Sequence, residues 1–198
     1  MSDKAIKKKQ LILKKSRDVF AAKGYRSVTM KDLVEACGIS RGGLYLYFDN
    51  VEAVFLGVIG YEGSKADPAI REQIPENPKT VDYLSLFIME QKKDILRGED
   101  SLLAAMYEYS FEKNQDKTFE GKTVIGDQFE KGMSFLISLF QKGRERGEIS
   151  CDDPESTALN IMITFEGMRS LSRCMSLPEE YINKEISTLL SPLLPKTR

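Results

Sequence analysis

Between Ser40 and Tyr47 the chain reads Ser-Arg-Gly-Gly-Leu-Tyr-Leu-Tyr. Arg41 supplies a cation, and Tyr45 and Tyr47 supply two hydroxyls, beside the adjacent glycines Gly42 and Gly43. These groups hydrogen-bond to phosphate oxygens or to the edges of bases. Two glycines inside a helix cost about 1 kcal/mol each against alanine. A gap without side chains is useful where a backbone must come close to another surface. The two tyrosines also fit a plainer role, with rings in a core and hydroxyls at the surface.

Catalytic groups are scarce elsewhere. The chain has no histidine, which removes the commonest general base, the commonest zinc ligand and every Ser-His or Cys-His nucleophile. No phosphate-binding glycine loop of the G-x-x-x-x-G-K-S/T or G-x-G-x-x-G type occurs. Cys37, Cys151 and Cys174 are isolated and form no C-x-x-C pair, so no zinc knuckle or redox pair is indicated. Cys37 falls at an apolar helical position and reads as a small core residue. No catalytic residue, metal or cofactor is expected, and the chain is read as not an enzyme.

The 198 residues carry a net charge of -1, distributed unevenly. Residues 1–50 hold eleven lysines and arginines against five acids, a net of +6, which leaves -7 for the rest. A basic end on an acidic body suits a polyanion partner, although a solvated lysine face gives the same composition. No run of 18 apolar residues exists, and the N-terminus lacks the apolar stretch of a secretory signal. A cytoplasmic location without a membrane span is therefore expected.

Helical periodicity positions these residues. A first helix is expected over Lys4 to Lys23, with Ile12, Ser16, Val19 and Phe20 on one face and Gly24 as its stop. Thr29 and Asp32 resemble a capping box for a short second helix carrying Met30, Leu33, Val34 and Cys37 inward. Gly38 breaks it, Ile39 plugs the turn, and Ser40 caps a third helix to about Phe48 with Leu44 and Phe48 inside. Two short helices joined by Ala36-Cys37-Gly38-Ile39-Ser40 have the layout of a helix-turn-helix, whose second helix enters the major groove of DNA.

The segment from Leu11 to about Gly57 resembles the DNA-binding domain of TetR-family regulators. The resemblance rests on Ile12, Val19-Phe20, Gly24-Tyr25, Val28-Thr29 and Asp32-Leu33, and on the run from Cys37-Gly38-Ile39-Ser40 to Gly43-Leu44-Tyr45-Leu46-Tyr47-Phe48. It covers about a quarter of the chain. It implies duplex contacts from Thr29, Lys31, Ser40, Arg41, Gly42, Gly43, Tyr45 and Tyr47. One departure stands out: the family opens its fourth helix with Ser-Lys, its lysine on phosphate, and here the pair is Asn50-Val51. Asn50 can still cap, Asp49 beside it repels phosphate, and Lys7, Lys8 and Lys9 are a candidate compensating flexible arm.

The remaining pattern is helical. A fourth helix is expected from Val51 to about Tyr61, then a mobile connection punctuated by Gly60, Gly63, Pro68, Pro75 and Pro78. Five further helices are expected over about Lys79 to Leu96, Asp100 to Lys113, Thr118 to Arg146, Asp153-Pro154 to Cys174, and from Pro178 onward. Gly147-Glu148-Ile149 again resembles the family. The expected fold is all-α, with about nine helices. A helix-turn-helix domain over residues 1–50 precedes an effector-binding and dimerisation domain over 51–198. A homodimer through the last two helices is implied by the resemblance. Met106, Tyr107, Phe129, Met133, Phe165 and Met168 are candidates to line a pocket for a lipophilic small-molecule effector, with Glu108, Glu166 or Arg169 as its polar handle. Together these features read as a ligand-responsive repressor released from a palindromic operator. A helical adaptor that binds protein through its basic head, and an enzyme acting in the body, are the other classes that this composition admits.

Overall fold

The structure is a computed structural model that describes residues 2–71, 75–96 and 101–194, with the backbone alone for 65–71. Among the described residues the chain forms nine α-helices and no strand. They are α1 (Asp3–Lys23), α2 (Met30–Cys37), α3 (Arg41–Tyr45), α4 (Val51–Arg71), α5 (Thr80–Leu96), α6 (Leu103–Gln115), α7 (Val124–Glu145), α8 (Pro154–Cys174) and α9 (Glu179–Leu190), with a closing 3-10 turn at Ser191–Leu193. The all-helical fold expected from periodicity is what forms.

The helices gather into two compact units that do not follow the division expected at residue 50. The first holds α1–α4 together with α6, and the second holds α5 with α7–α9.

In the first unit α1 packs on α2, α4 and α6. Ile12, Phe20, Leu33, Leu44, Val54, Phe55 and Val58 are buried at its centre. Ser16, also buried, lies 3.8 Å from the Cys37 sulfur, whose thiol reaches the Ile12 carbonyl at 3.7 Å. Cys37 is thus the core residue its position suggested, and burial pushes its thiol pKa up. Phe55 sits in an aromatic cluster, its ring 5.0 Å from those of Phe20 and Tyr25 and 5.3 Å from that of Tyr109.

Two glycines shape this unit. Gly38 ends α2 in the left-handed region at φ +64°, ψ +39°, the ordinary glycine stop. Gly24 ends α1 differently, at φ +76° and ψ −178°, a region essentially confined to glycine. A side chain there would also place its Cβ 2.5 Å from a carboxylate oxygen of Glu108.

α4 runs ten residues beyond its expected end, through Gly60, Gly63 and Pro68 to Arg71. The expected mobile connection is therefore helix over 60–71. Val54, Phe55 and Val58 anchor the helix in the core, and tertiary packing of this kind overrides local propensity. No Cβ at Gly60 or Gly63 would meet a neighbour, so both sit on an open face. Residues 72–74 lie outside the described residues, and Pro75 and Pro78 follow them. Lys7, Lys8 and Lys9, expected as a flexible arm, lie within α1.

The second unit encloses Leu84, Ile88, Leu136, Phe140, Ile161, Phe165 and Ile182 in one cluster. Its helix ends are capped by acids. Glu148 accepts the Thr80 amide at 2.6 Å, and Asp153 accepts the Glu155 and Ser156 amides at 3.1 Å each, with Pro154 at the first helical position. α7 starts at Val124 rather than near Thr118, because the Asp116 carboxylate takes both the Thr118 amide (2.9 Å) and hydroxyl (2.6 Å) in a local turn. α6 starts at Leu103, and Asp100, its expected start, lies outside the described residues.

The glycine geometry yields a prediction. Gly38→Ala should cost about 1–2 kcal/mol from backbone strain alone. Gly24→Ala should cost more, because it adds the collision with Glu108 to a glycine-only backbone. Urea unfolding of the two variants compares them, and equal losses would show that Glu108 does not hold this turn.

Candidate nucleic-acid interface

The site is built from short elements held by side-chain caps. Thr29 Oγ1 accepts the Asp32 amide at 3.2 Å, and Asp32 returns the bond by accepting the Thr29 amide at 2.8 Å, the full capping box. Lys23 donates to the same carboxylate at 2.6 Å. The Lys23 ammonium and then the Thr29 groups hold the Asp32 carboxyl far below the usual carboxylate range. After the Gly38 stop, Ser40 Oγ accepts the Gly43 amide at 3.1 Å and starts α3.

α3 itself ends at Tyr45, three residues before the expected end at Phe48. Helical bonds nevertheless continue, with Leu46 N–H to Gly42 O at 3.1 Å and Phe48 N–H to Leu44 O at 3.1 Å. A five-residue helix is far below the length that is stable by itself. Leu44 and Phe48, both buried as expected, fix it to the core.

This leaves an outward face. Arg41, Gly42, Tyr45 and Leu46 are exposed, while Gly43 and Tyr47 are half-buried. The Arg41 guanidinium sits over the Tyr45 ring, 5.6 Å from its centroid. No Cβ at Gly42 would meet a neighbour, whereas one at Gly43 would come within 3.1 Å of Ser40 Oγ. Thr29 and Ser40 are exposed with their hydroxyls engaged in the caps, and Lys31 is exposed with its ammonium 3.8 Å from Glu35. The eight expected residues therefore fall on α3 and its Ser40 cap, on the turn after it at Tyr47, and on the cap and start of α2. Asn50 caps α4 by accepting the Ala53 amide at 2.8 Å, and Val51 opens that helix.

Three features were not anticipated. Leu46 is 82% exposed, and its position two residues from both Leu44 and Phe48 already placed it opposite the buried pair. The Lys9 ammonium lies over the Phe48 ring at 5.2 Å, which brings α1 charge to the end of this element. The third is Glu108 on α6. One of its oxygens accepts both the Tyr25 and Arg26 amides, at 2.8 and 2.9 Å. No local sequence signal marks a contact 82 and 83 residues apart. Glu108 is therefore committed to this turn rather than free as a polar handle for a ligand. Beside it, Glu52 accepts the Tyr109 hydroxyl (2.9 Å) and pairs with Lys113 (2.8 Å). Lys113 lowers the Glu52 pKa, and burial followed by Glu52 pushes that of Tyr109 up. The Tyr25 hydroxyl is pushed up to about 12 by burial and by Glu52 and Glu112.

The six expected pocket residues divide between the units. Met106 and Tyr107 lie on α6 in the first, and Phe129, Met133, Phe165 and Met168 lie in the second. The latter four share one apolar cluster. At the same level of α8, Arg169 donates to Glu166 at 2.9 Å and to the Gln91 carbonyl. Its Nε is buried and meets no hydrogen-bond acceptor among the described residues. A narrow apolar recess in this unit is lined by Ile88, Ile161, Phe165, Ile186, Leu189 and Leu190. Among the described residues no cluster of acids and cysteines can hold a metal ion, and no helix is long and apolar enough to cross a membrane.

A short capped helix with an exposed arginine and tyrosine, following a capped helix and a glycine turn, defines a helix-turn-helix DNA-binding protein. Residues 12–58 match the model of bacterial regulatory proteins of the tetR family, and residues 83–180 match a tetracyclin repressor-like C-terminal domain. The chain is 33% identical over 141 residues to the HTH-type transcriptional regulator UidR of Escherichia coli, covering 71% of this chain and 68% of that one. It is 28% identical over 161 residues to the HTH-type transcriptional regulator YfiR of Bacillus subtilis, covering 80% and 76%. The solved structure of a TetR-family regulator from Cytophaga hutchinsonii superimposes with a TM-score of 0.77 at 18% identity, over the whole of both chains. The chain belongs to the TetR family of transcriptional regulators. That family consists of DNA-binding regulators rather than enzymes, and its members act as dimers and respond to small molecules.

The α4 start tests the missing lysine. Val51→Lys should tighten binding to all duplexes alike and steepen the salt dependence by about one log-log unit, as one added phosphate contact requires. Unchanged affinity and slope, measured by fluorescence anisotropy across a salt series, would place this position away from the DNA backbone.

Proposed function

We propose that this chain is a repressor that binds a palindromic operator as a homodimer and releases it when a lipophilic effector binds. The observation that carries the reading is the outward face of α3, where Arg41 and Tyr45 stand exposed beside the bare backbone of Gly42. Arg41 serves as the base-reading cation, because a guanidinium can bind guanine O6 and N7 together. Thr29, Lys31, Ser40, Gly43 and Tyr47 surround it and set the approach to phosphates. The protein acts in the cytoplasm, where bacterial DNA lies.

Dimerisation runs through α8 and α9. Leu159, Ile163 and Leu171 are exposed along α8, and no side chain crowds Gly167 between them. Two such faces from two subunits bury each other as a four-helix bundle, which sets the separation of the two heads. The effector site lies in the second unit among Phe129, Met133, Phe165 and Met168. Arg169, Glu166 and Gln91 supply its polar contacts, a suitable pairing of apolar lining with a few fixed donors and acceptors. Phe165 and Met168 are buried, so the effector selects a more open arrangement. A ligand that binds that arrangement better draws the population away from the DNA-bound one.

Selection from a random duplex library tests the reading. The expected result is an enriched palindrome with half-sites one helical turn apart, about 34–36 Å, and a dimer by sedimentation. A chain that enriches no sequence, or that remains a monomer at micromolar concentration, contradicts it. On the selected operator Arg41→Ala should lose roughly ten- to a hundredfold in affinity at fixed salt, with a much smaller loss on random DNA. Tyr47→Phe should lose less. Equal losses for Arg41→Ala on both duplexes would move Arg41 from base to phosphate.

A further inference from the structure

Leu46 is the most exposed large apolar side chain among the described residues, at 82%. A single leucine on a surface needs no explanation by itself. This one is set apart by its neighbours. Its amide closes a helical turn onto Gly42 at 3.1 Å, so it lies one turn beyond that glycine on the same face. A Cβ at Gly42 would meet no neighbour, so the leucine stands at the end of an open, flat stretch of backbone. Tyr45, 40% exposed, and Arg41, stacked over its ring, stand on the other side. The inward positions of the same element belong to Leu44 and Phe48, so no core position is available for Leu46 to turn into.

We propose that Leu46 reads thymine by packing against its 5-methyl group in the major groove. The inference rests on the DNA-binding reading above. Placed against phosphate oxygens or polar base edges, an isobutyl group strips those atoms of water and returns no hydrogen bond. The thymine methyl is the one apolar group that a base pair presents in the major groove. The open backbone at Gly42 lets the leucine reach the groove floor beside Arg41. The assignment gives α3 and its C-cap two chemically distinct readers, a cation for guanine and an isobutyl group for thymine.

Deoxyuridine in place of thymidine removes this methyl group and leaves base pairing intact, which makes the test direct. Full-length protein is titrated, at one salt concentration, with its selected operator and with operators in which each thymidine in turn is replaced by deoxyuridine. The expected result is one position per half-site at which the replacement weakens binding about threefold to tenfold, the scale of one buried methyl group. For Leu46→Ala the same replacement should change nothing, and its affinity for the thymidine operator should already match that of the wild type for the deoxyuridine one. Leu46 is outside the core, so this variant should unfold at the wild-type temperature, which is checked alongside. A selected operator in which no deoxyuridine costs affinity overturns the proposal. So does a loss that persists unchanged in Leu46→Ala, since another residue then touches the methyl. Failure to select any operator is a separate result: it removes the DNA-binding reading, and this proposal with it.

Discussion

The carboxylate of Glu108 holds the turn from which the DNA-reading elements hang. One of its oxygens takes the amides of Tyr25 and Arg26, two donors in the turn just past the end of α1. The fit needs Gly24, whose backbone few residues adopt and whose missing Cβ makes room for the carboxylate. The aromatic cluster of Phe20, Tyr25, Phe55 and Tyr109 then closes around the turn, Tyr109 being one residue from Glu108. α6 becomes part of the head by this contact, although the helices before and after it in sequence belong to the other unit.

From this base outward, stability is handed on by caps rather than by length. α2 has eight residues and α3 five, too few for either to persist alone in water. Thr29 with Asp32, Gly38, and Ser40 with the Gly43 amide each fix one end, and Leu33, Leu44 and Phe48 bury the inner sides. What remains free is the set of groups whose chemistry suits a duplex. The core and the caps use the inner and terminal positions, and the outer positions are left for the proposed contacts with DNA.

Much of this was legible in the sequence because the signals are local. The capping box, the glycine stop, the Ser40 cap and the buried pair Leu44 and Phe48 all depend on residues at most four apart, and all appear as expected. The same holds for Asp153-Pro154 at the start of α8. Contacts between distant residues were not legible. Glu108 and Tyr25 carry no mark of each other, so Glu108 read as a free carboxylate and α6 as part of the body. The length of α4 was missed for a related reason. Its glycines and proline are local signals against a helix, outweighed by the burial of Val54, Phe55 and Val58. Leu46 lay between these cases: its outward position followed from periodicity, but its apolar type gave no sign of the role proposed for it.

The face of α3 is proposed to meet the duplex. Hydrogen–deuterium exchange of the full chain, free and bound to its operator, tests this most directly. A helix as short as α3 exchanges readily when free, since local openings of such segments cost little, so bound DNA has a clear effect to produce. Slowed exchange concentrated at residues 29–31 and 40–47, with α5 and α8 little changed, is the predicted result. Unchanged exchange in these segments, with protection located elsewhere on the chain, would contradict it.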